Sequence, residues 1–506
     1  MIQHFLNRPR VFLALAATAL LVTPSTTAAK AASAPHLKAS PTASAASDGQ
    51  RPGDGTDQQV ARFERQLARA DYASQQGSEE VFILNQKYCT GAVFSAMWPN
   101  PQSPYIISSL PEVPGQAPNT NTPRTWRIRQ DEAVVLIGTT PPPVEYFSFD
   151  LTMLKGSLPV GPVLWTSVGD PVNLKTIHTR GRTPYSRQFA LVITGNRRTR
   201  DEVNQMLAAS GLGGATTDMT IPPAMFRLGL EAGTDEFLLG IRTSVPKAGF
   251  EQALEDYRAT PPLQVFRVRP GSGAADQTQP VYQPDPLRVP PLRTSGNGEN
   301  ELNLNPTLQT LRQRIIDAHP GYDVHEEVVQ RGFEESYPGL QNNLVIDPPT
   351  TGVGALSYDA DDPITDNISL PDGSFAVAYG TNHVSTGQAT YSSITLNADT
   401  KAAVAVEAKD NVALLGSARD FIPDQKNADK FYAWTFSRAD NGPTGPHVTQ
   451  LPSTTTDFCA QYNGTRSVDL STVRFVARAY MQPDTLTRPA LSALLLDRVL
   501  VFTPKK

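Results

Sequence analysis

Most apolar residues of the chain fall in short runs that are separated by Pro, Gly and Asn. Between positions 79 and 195 the runs include EEVFILNQKY, EAVVLIGTT, EYFSFDLTML and RQFALVITG, and between 340 and 506 they include SFAVAYG, FYAWTFSR and RVLVFTP. Runs of this length that are rich in β-branched and aromatic residues are typical of β-strands. The pattern predicts a β-rich α+β fold, in which short antiparallel strands form one or two sandwich-like or barrel-like units.

One of these runs, EYFSFDLT, alternates between polar and apolar side chains. Phe147, Phe149 and Leu151 point to one side, and the other side carries Tyr146, Ser148, Asp150 and Thr152. An alternation of period two is typical of a strand with one face in the core and the other in water. We therefore predict a half-buried strand here.

One segment before the predicted strands has apolar residues at helical spacing. In segment 58–75, four apolar residues recur at the spacing of one helix face, and they are Val60, Phe63, Leu67 and Ala70. This spacing predicts an amphipathic helix over 58–75.

A mixed order of elements is predicted between residues 188 and 268. The elements are a strand at 189–194, a helix that ends near 209, strands at 225–230 and 236–243, a helix at 247–258 and a strand at 263–268. Thr199 and Glu202 have the spacing of a capping box at the start of the first helix. The resulting βαββαβ order fits a ferredoxin-like segment at 188–268. Many unrelated functions share that fold, so it predicts no chemistry.

The beginning of the chain has the three parts of a secretory signal peptide. Arg8 and Arg10 give a positive start, residues 11–22 are an unbroken apolar run, and AKA at 29–31 fits the small-residue cleavage pattern. This combination predicts a cleavable signal peptide at 1–31. We therefore expect a secreted or periplasmic protein.

Composition marks the remaining boundaries. Segment 32–57 is rich in Ala, Ser, Pro, Gly and Asp, and it has too few large apolar residues to offset the entropy of ordering, so we predict a disordered leader. Segment 269–304 is rich in Pro and ends in Gly and Asn, which predicts a linker. The linker separates an N-terminal β-rich α+β region at 58–268 from a C-terminal β-rich region at 305–506. Pro306 favours the start of a helix at the beginning of the second region.

The charge of the chain narrows the range of partners. The formal net charge is −5, and removal of the signal peptide with Arg8, Arg10 and Lys30 would take it to −8. A modestly acidic surface offers no electrostatic footprint for nucleic acid or anionic lipid. No segment after the signal peptide resembles a membrane span. We predict a soluble protein whose partner is an unidentified extracellular ligand or substrate.

The chain contains two cysteines, Cys89 and Cys459. Exported proteins seldom keep exposed free thiols, so a disulfide between the two is one prediction. Such a bond would interleave the two regions and stabilise the fold by roughly 4–5 kcal/mol. The alternative is two separately buried thiols, because free Cys packs as a small hydrophobe.

His383 and Ser385 are the first candidates for catalysis. They lie in YGTNHVSTG, where Gly387 fits the second Gly of a nucleophile elbow and His383 stands in place of the first. At positions i and i+2 of a strand the two side chains would share a face, so His383 could activate Ser385 as its base. The acid that would orient the histidine is not identified by the sequence.

An acidic cluster between 358 and 366 is the candidate for a cofactor. Clustered carboxylates suit a hard cation such as calcium, although Pro363 interrupts the spacing of an EF-hand loop. A calcium site is one interpretation and a solvated acidic turn is the other. The carboxylates are Asp359, Asp361, Asp362 and Asp366.

A third candidate is the run His325-Glu326-Glu327. A histidine beside carboxylates can serve as a metal or acid–base site, but the zinc pattern requires a second histidine where the chain has Val329. The alternative is a solvated acidic face.

These observations leave two classes of function. One is a secreted hydrolase that acts on an extracellular substrate, with His383 and Ser385 as its site. The other is a non-catalytic extracellular ligand-binding or surface protein, in which the acidic cluster or an aromatic platform binds the ligand. The candidate platform residues are Trp98, Tyr105, Tyr146, Trp165 and Trp434.

Overall fold

The computed structural model describes the chain from Asp54 to Lys505, apart from the segments 94–95, 97–98, 120–123, 156–163, 224–225, 272–296, 331–344, 347–359, 362–363, 399–403, 439–441, 452–456 and 485–488. The predicted signal peptide at 1–31 and leader residues 32–53 lie outside the described residues, as does most of the predicted linker. The described residues belong to one compact unit, Gln50–Lys506.

The first half of the structure ends where the predicted linker begins. Its elements are α1 (Asp54–Arg69), β1 (Tyr72–Gln76), β2 (Ser78–Phe82), α2 (Leu84–Cys89), β3 (Tyr105–Ser109), β4 (Ala133–Thr139), β5 (Phe147–Lys155), β6 (Leu164–Ser167), β7 (Val172–Asn173), β8 (Gln188–Thr194), α3 (Arg197–Ala209), a 3-10 turn (Gly213–Ala215), β9 (Thr216–Thr220), β10 (Glu236–Thr243), α4 (Glu251–Ala259) and β11 (Leu263–Pro270).

The second half begins with a 3-10 turn at Glu301–Leu304. It continues with α5 (Asn305–Asp317), β12 (Tyr322–Val328), β13 (Val345–Ile346), β14 (Ala360–Asp361), β15 (Ile368–Ser369), β16 (Phe375–Thr381), β17 (Tyr391–Ala398), β18 (Val404–Asp410), α6 (Asn411–Leu414), α7 (Gln425–Ala428), β19 (Phe431–Ser437), β20 (Val448–Gln450), α8 (Asp457–Ala460), β21 (Thr472–Tyr480), a 3-10 turn (Leu491–Ala493) and β22 (Arg498–Pro504). None of the helices in the described part of the chain combines the length and apolar character that a bilayer span requires.

The strands form four sheets, and over the described residues none of them closes into a barrel. Sheet I has the order β1-β11-β4-β8-β9, and sheet II has the order β13-β6-β5-β10-β3-β2 with β7 beside β5. Sheet III has the order β12-β22-β16-β19-β20, and sheet IV has the order β14-β21-β17-β18 with β15 beside β21. Neighbouring strands are antiparallel, except that β9 runs parallel to β8 and β20 parallel to β19. The predicted β-rich α+β class is confirmed.

In the first half, sheet I is covered on both faces. Phe63 of α1 and Val203 of α3 pack with one face of the sheet. The other face, which includes Leu191, packs with Phe149 and Leu239 of sheet II. Because both faces of sheet I are dry, its central strands are almost continuously apolar, as expected for a doubly covered sheet.

The second half repeats this order of layers. Ala378 and Phe436 of sheet III pack with Ile394 and Phe475 of sheet IV. Leu311 of α5 packs on the opposite face of sheet III. Each half therefore consists of a helical layer, a sheet and a second sheet.

The two halves are joined by a disulfide, by shared strands and by a shared core. Cys89 and Cys459 form the disulfide, so the bonded alternative is confirmed. Strand β13 of the second half pairs with β6 of the first, and the side-chain amide of Asn85 donates to the carbonyl oxygen of Ala405 at 2.7 Å. The disulfide, the strand pair and the hydrogen bond each connect described residues of the two halves.

The ferredoxin-like segment predicted at 188–268 is not confirmed. Its order of elements is present, but β10 belongs to sheet II whereas β8, β9 and β11 belong to sheet I. The predicted strand at 225–230 is wrong: residues 226–230 are not in a strand, and β9 lies earlier, at Thr216–Thr220. Phe226 and Leu228 lie in a loop, and their side chains are buried in the core. Their apolar character therefore reflects packing and not strand formation.

Two predicted helices have different boundaries in the structure. Helix α1 begins at Asp54 and ends at Arg69, so the leader predicted at 32–57 ends earlier and β1 replaces the predicted last helical turn. Helix α3 is capped by the Asn196 side chain, which accepts a hydrogen bond from the backbone nitrogen of Thr199 at 3.1 Å. The predicted capping box is therefore wrong, and Glu202 accepts a hydrogen bond from Tyr72 instead.

Candidate functional site

His383 lies in the turn that follows β16 and is buried between two carboxylates. Its Nδ1 atom is 2.9 Å from Oε1 of Glu301, and its Nε2 atom is 3.5 Å from Oδ2 of Asp497. The exposed fractions are 5% for His383 and Asp497 and 0% for Glu301. Burial lowers the pKa of His383, but the negative charges of Glu301 and Asp497 outweigh it and hold that pKa well above its usual value. The histidine is therefore held as a cation.

The carboxylates beside His383 have further partners. Glu301 also accepts hydrogen bonds from the hydroxyls of Thr381 at 2.7 Å and Thr386 at 2.6 Å, and from the backbone nitrogen of Leu495 at 2.9 Å. Asp497 accepts one from the hydroxyl of Tyr432 at 2.7 Å. All four carboxylate oxygens are thus used. We call the set Glu301, His383, Asp497, Thr381, Thr386 and Tyr432 the His383 cluster.

Ser385 is not part of this cluster. Its side chain is exposed, and its backbone nitrogen donates to the side chain of Asn382 at 3.3 Å. Strand β16 ends at Thr381, so His383 and Ser385 lie in a turn and not on one strand face. No hydrogen bond joins these two described residues, and the structure does not bring them together as base and nucleophile.

The acidic cluster falls largely outside the described residues. Asp359 and Asp362 are not described, and of Asp361 only the backbone is, in β14. Asp366 is exposed. Among the side chains that are described, no group of three or more His, Cys, Asp or Glu residues is placed to hold a metal ion. The calcium site stays a prediction.

The run His325-Glu326-Glu327 lies on β12, where alternation separates its members. Glu326 contacts the guanidinium of Arg312 at 3.0 Å and accepts a hydrogen bond from Tyr379. His325 and Glu327 share the other side of the strand, and the histidine Nε2 is 2.6 Å from Oε1 of the glutamate. The sequence run thus contains a structural carboxylate and a separate His–Glu pair.

A layer of buried polar side chains lies where sheet II meets sheet IV. Tyr146, Ser148 and Asp150 alternate along the β5 segment, and register places Arg242 of β10 beside Ser148. The predicted alternation of this segment is confirmed, but the predicted exposure of its polar face is wrong. Ser148 is 0% exposed and Asp150 is 5% exposed, because the second half of the chain covers them.

The tyrosines of sheet IV form the other side of this layer. The Tyr480 ring lies 5.4 Å from the Tyr146 ring and 5.2 Å from the Tyr391 ring, measured between centroids. The guanidinium of Arg242 lies 5.9 Å from the centre of the Tyr480 ring. We call Tyr146, Ser148, Asp150, Arg242, Tyr391, Ser393, Thr395, Arg478 and Tyr480 the polar layer.

Only some groups of the polar layer have partners within the protein. Asp150 is 3.5 Å from Arg242 and accepts a hydrogen bond from Ser167 at 2.9 Å. Burial raises the pKa of Asp150, and Arg242 and Ser167 oppose that rise. In contrast, the hydroxyls of Tyr146 and Ser148 are buried without a hydrogen-bond partner among the described residues. Buried polar groups nearly always have partners, and water or a bound molecule would supply them here.

The packing beside Gly240 leaves room for a further side-chain atom. This glycine lies between Leu238 and Arg242 on the same face of β10, opposite Asp150 in register. A Cβ atom built on Gly240 would have its nearest neighbours at 3.6 Å, in Leu238, and at 4.0 Å, in Tyr105. These are ordinary van der Waals distances, so a side-chain atom would fit there without displacing anything.

The predicted aromatic platform is only partly represented in these sites. Tyr146 belongs to the polar layer, but it is fully buried. The Arg242 guanidinium lies 5.5 Å from the centre of the Tyr105 ring. Trp434 donates to the hydroxyl of Thr449 at 2.9 Å. Trp98 and the side chain of Trp165 lie outside the described residues.

Comparisons with known proteins add little to this geometry. No family model matches the chain, and no curated protein matches it. Among solved structures, the chain is similar to the crystal structure of the VPA0106 protein from Vibrio parahaemolyticus, with 9% identity, coverage of 89% of this chain and 97% of that chain, and a TM-score of 0.37. A likeness at that TM-score carries no argument about fold or function.

Proposed function

We propose that the protein is an exported ligand-binding protein whose two halves enclose a small polar molecule in the polar layer. The observation that carries the proposal is the pair of buried, unpartnered hydroxyls of Tyr146 and Ser148. Both residues are 0% exposed and occupy the same face of the β5 segment.

The energetic cost of these hydroxyls supports an enclosed molecule. A buried polar group without a hydrogen bond costs about 1–3 kcal/mol. Two such groups in one layer would lower the stability of the protein unless a ligand or water supplies the missing bonds. Sites between two packed units are common places for small ligands to bind.

The chemistry of the layer defines the class of ligand. The layer holds the carboxylate of Asp150, which lies 3.5 Å from the guanidinium of Arg242, and a second guanidinium, that of Arg478, which donates to the hydroxyl of Thr395. The hydroxyls of Tyr146 and Ser148 can each donate one hydrogen bond and also accept. The expected ligand is therefore small and rich in oxygen or nitrogen atoms.

The hydrolase interpretation with His383 and Ser385 is the less favoured alternative. A catalytic base needs a free ring nitrogen near the nucleophile, whereas both ring nitrogens of His383 face carboxylates. The exposed Ser385 has no hydrogen bond from His383.

Native mass spectrometry of the protein isolated from its secreting host tests the proposal. We expect the intact mass under native conditions to exceed the denatured mass by that of a small molecule. Gly240→Val should abolish the difference, because the added side chain would enter the space beside Arg242.

Gly233→Val is the matched control, since a Cβ atom on Gly233 meets nothing within 4 Å. This variant should keep the bound mass. Equal native and denatured masses of the unmodified protein would contradict ligand binding and leave water as the partner of the two hydroxyls.

A further inference from the structure

His325 and Glu327 lie in an open groove that is separate from the polar layer. The groove has a volume of about 310 Å³, and its walls include Asp323, Asn367, Ser369 and Thr503. Strand β12, which carries the pair, is at the edge of sheet III. Its edge position leaves the histidine side chain 71% exposed, so a molecule from solution can reach the ring.

The hydrogen bond to Glu327 orients the histidine ring. With Nε2 2.6 Å from a carboxylate oxygen, the ring can donate an N–H there, which leaves Nδ1 as the nitrogen available to a molecule from solution. A carboxylate that holds one imidazole nitrogen orients the ring and stabilises the cation that forms when the other nitrogen takes a proton. This is the arrangement of a general base.

The other described histidines differ from His325. His383 is enclosed by carboxylates on both sides. His319 packs against Phe375 at 4.8 Å, and burial lowers its pKa. His447 packs edge to face with Trp434, and its Nδ1 atom is buried. His178 is exposed, but the partner of its Nδ1 atom is the neutral carbonyl oxygen of Thr216 at 3.0 Å.

We propose that His325 and Glu327 form a general-base site for the hydrolysis of carboxylic esters. Nδ1 of His325 takes a proton from a water molecule in the groove, and the water oxygen forms a bond to the acyl carbon. The tetrahedral intermediate then expels the alkoxide and breaks the ester C–O bond, and the protonated imidazole returns the proton to the alkoxide oxygen. The products are a carboxylic acid and an alcohol, and no other reactant is consumed.

The walls of the groove restrict the charge of the ester. Asp323 and Glu327 are acidic, and no lysine or arginine is among the residues that line the groove. An anionic ester would be repelled at such a site, whereas a neutral or cationic ester would not. The site therefore favours neutral and cationic esters.

Hydrolysis of p-nitrophenyl acetate, a neutral ester, by the full-length protein tests this proposal. His325→Gln should lower kcat/KM by about 100-fold, the size of effect that a positioned base contributes. Glu327→Gln should lower it by a smaller factor, because the ring remains but loses its orienting carboxylate. The anionic p-nitrophenyl hemisuccinate should be the poorer substrate.

His178→Gln is the matched control, since it removes an exposed histidine whose Nδ1 atom contacts a carbonyl oxygen and not a carboxylate. Its rate should equal that of the unmodified protein. Equal losses in His178→Gln and His325→Gln, or no loss in Glu327→Gln, would overturn the proposal, because either result is what unassisted surface imidazoles would give. Neither result bears on the polar layer.

Discussion

The His383 cluster and the polar layer are both buried and polar, but they differ in how completely their groups are paired. In the His383 cluster every carboxylate oxygen and both histidine nitrogens have a partner in the protein. In the polar layer the hydroxyls of Tyr146 and Ser148 have none among the residues that the structure describes. The first arrangement is complete without any other molecule, whereas the second is not.

The difference separates a structural role from a binding role. The His383 cluster connects the 3-10 turn at Glu301, the turn after β16 and the segment before β22, so its charges are used to hold the second half together. A fully paired network of this kind rigidifies a fold, whereas a partly paired one is costly on its own. Completeness of pairing is thus a more useful guide to function than the presence of a histidine beside an acid.

The largest effect should follow from breaking the complete cluster. Glu301→Ala would leave the buried cation of His383 with one distant carboxylate and would free two threonine hydroxyls. Removing one member of a buried ion pair costs about 3–5 kcal/mol. We expect a loss of this size in the free energy of unfolding measured with urea.

Glu299→Ala is the control for that experiment. Glu299 lies two residues earlier and pairs with Lys430 at 2.6 Å in a partly exposed position. Exposed ion pairs contribute about 0–1 kcal/mol. Similar losses in the free energy of unfolding of both variants would show that Glu301 contributes no more stability than a member of an exposed ion pair.

Glu79 offers a carboxyl group that is incompletely paired, like the polar layer. One of its oxygens accepts a hydrogen bond from Ser108 at 2.7 Å, and the other is buried without a partner among the described residues. Burial raises the pKa of Glu79 to about 8, and the bond from Ser108 only partly opposes this. The folded state therefore binds a proton that the unfolded state loses at lower pH, so this group makes the protein less stable as the pH rises from about 4.5 to 8.

Glu79→Gln removes this dependence. The variant should have a higher Tm than the unmodified protein at pH 9 and a similar Tm at pH 5, when both are followed by circular dichroism. An equal difference at the two pH values would contradict the raised pKa, because a carboxyl with the same pKa in the folded and unfolded states adds no pH dependence to stability.

The smallest effect is expected in the polar layer itself. Tyr146→Phe removes a hydroxyl that has no partner in the described part of the chain, so in ligand-free protein it should raise the free energy of unfolding by about 1 kcal/mol or slightly more. When the bound small molecule is present, the same change should weaken its retention. A loss of stability in ligand-free protein would show that the hydroxyl already has a partner.

The alternation of the β5 segment shows which part of the fold could be predicted from the sequence and which could not. The positions of Phe147, Phe149 and Leu151 correctly predicted the strand and its core face. Polarity on the opposite face predicted exposure, and this was wrong because sheet IV covers it. The pattern of apolar residues in one sequence identifies the apolar side of a strand. It does not show whether a second sheet covers the polar side.

The carboxylate partners of His383 could not be predicted from the sequence for a related reason. Glu301 precedes His383 by 82 residues, and Asp497 follows far later. Local spacing suggested Ser385, two positions away, as the partner. One feature of the sequence could have indicated that Glu301 is part of the folded core. This acid is followed by the apolar Leu302 and Leu304 at the end of the predicted linker.

The disulfide has a consequence for how the protein is made. Cys89 and Cys459 are separated by 370 residues, so during synthesis the first cysteine emerges long before its partner exists. Until Cys459 has been synthesised, Cys89 cannot form this disulfide. Sheet II likewise lacks β13, which is also synthesised after the first half. The first half therefore completes neither its disulfide nor sheet II until parts of the second half have been synthesised.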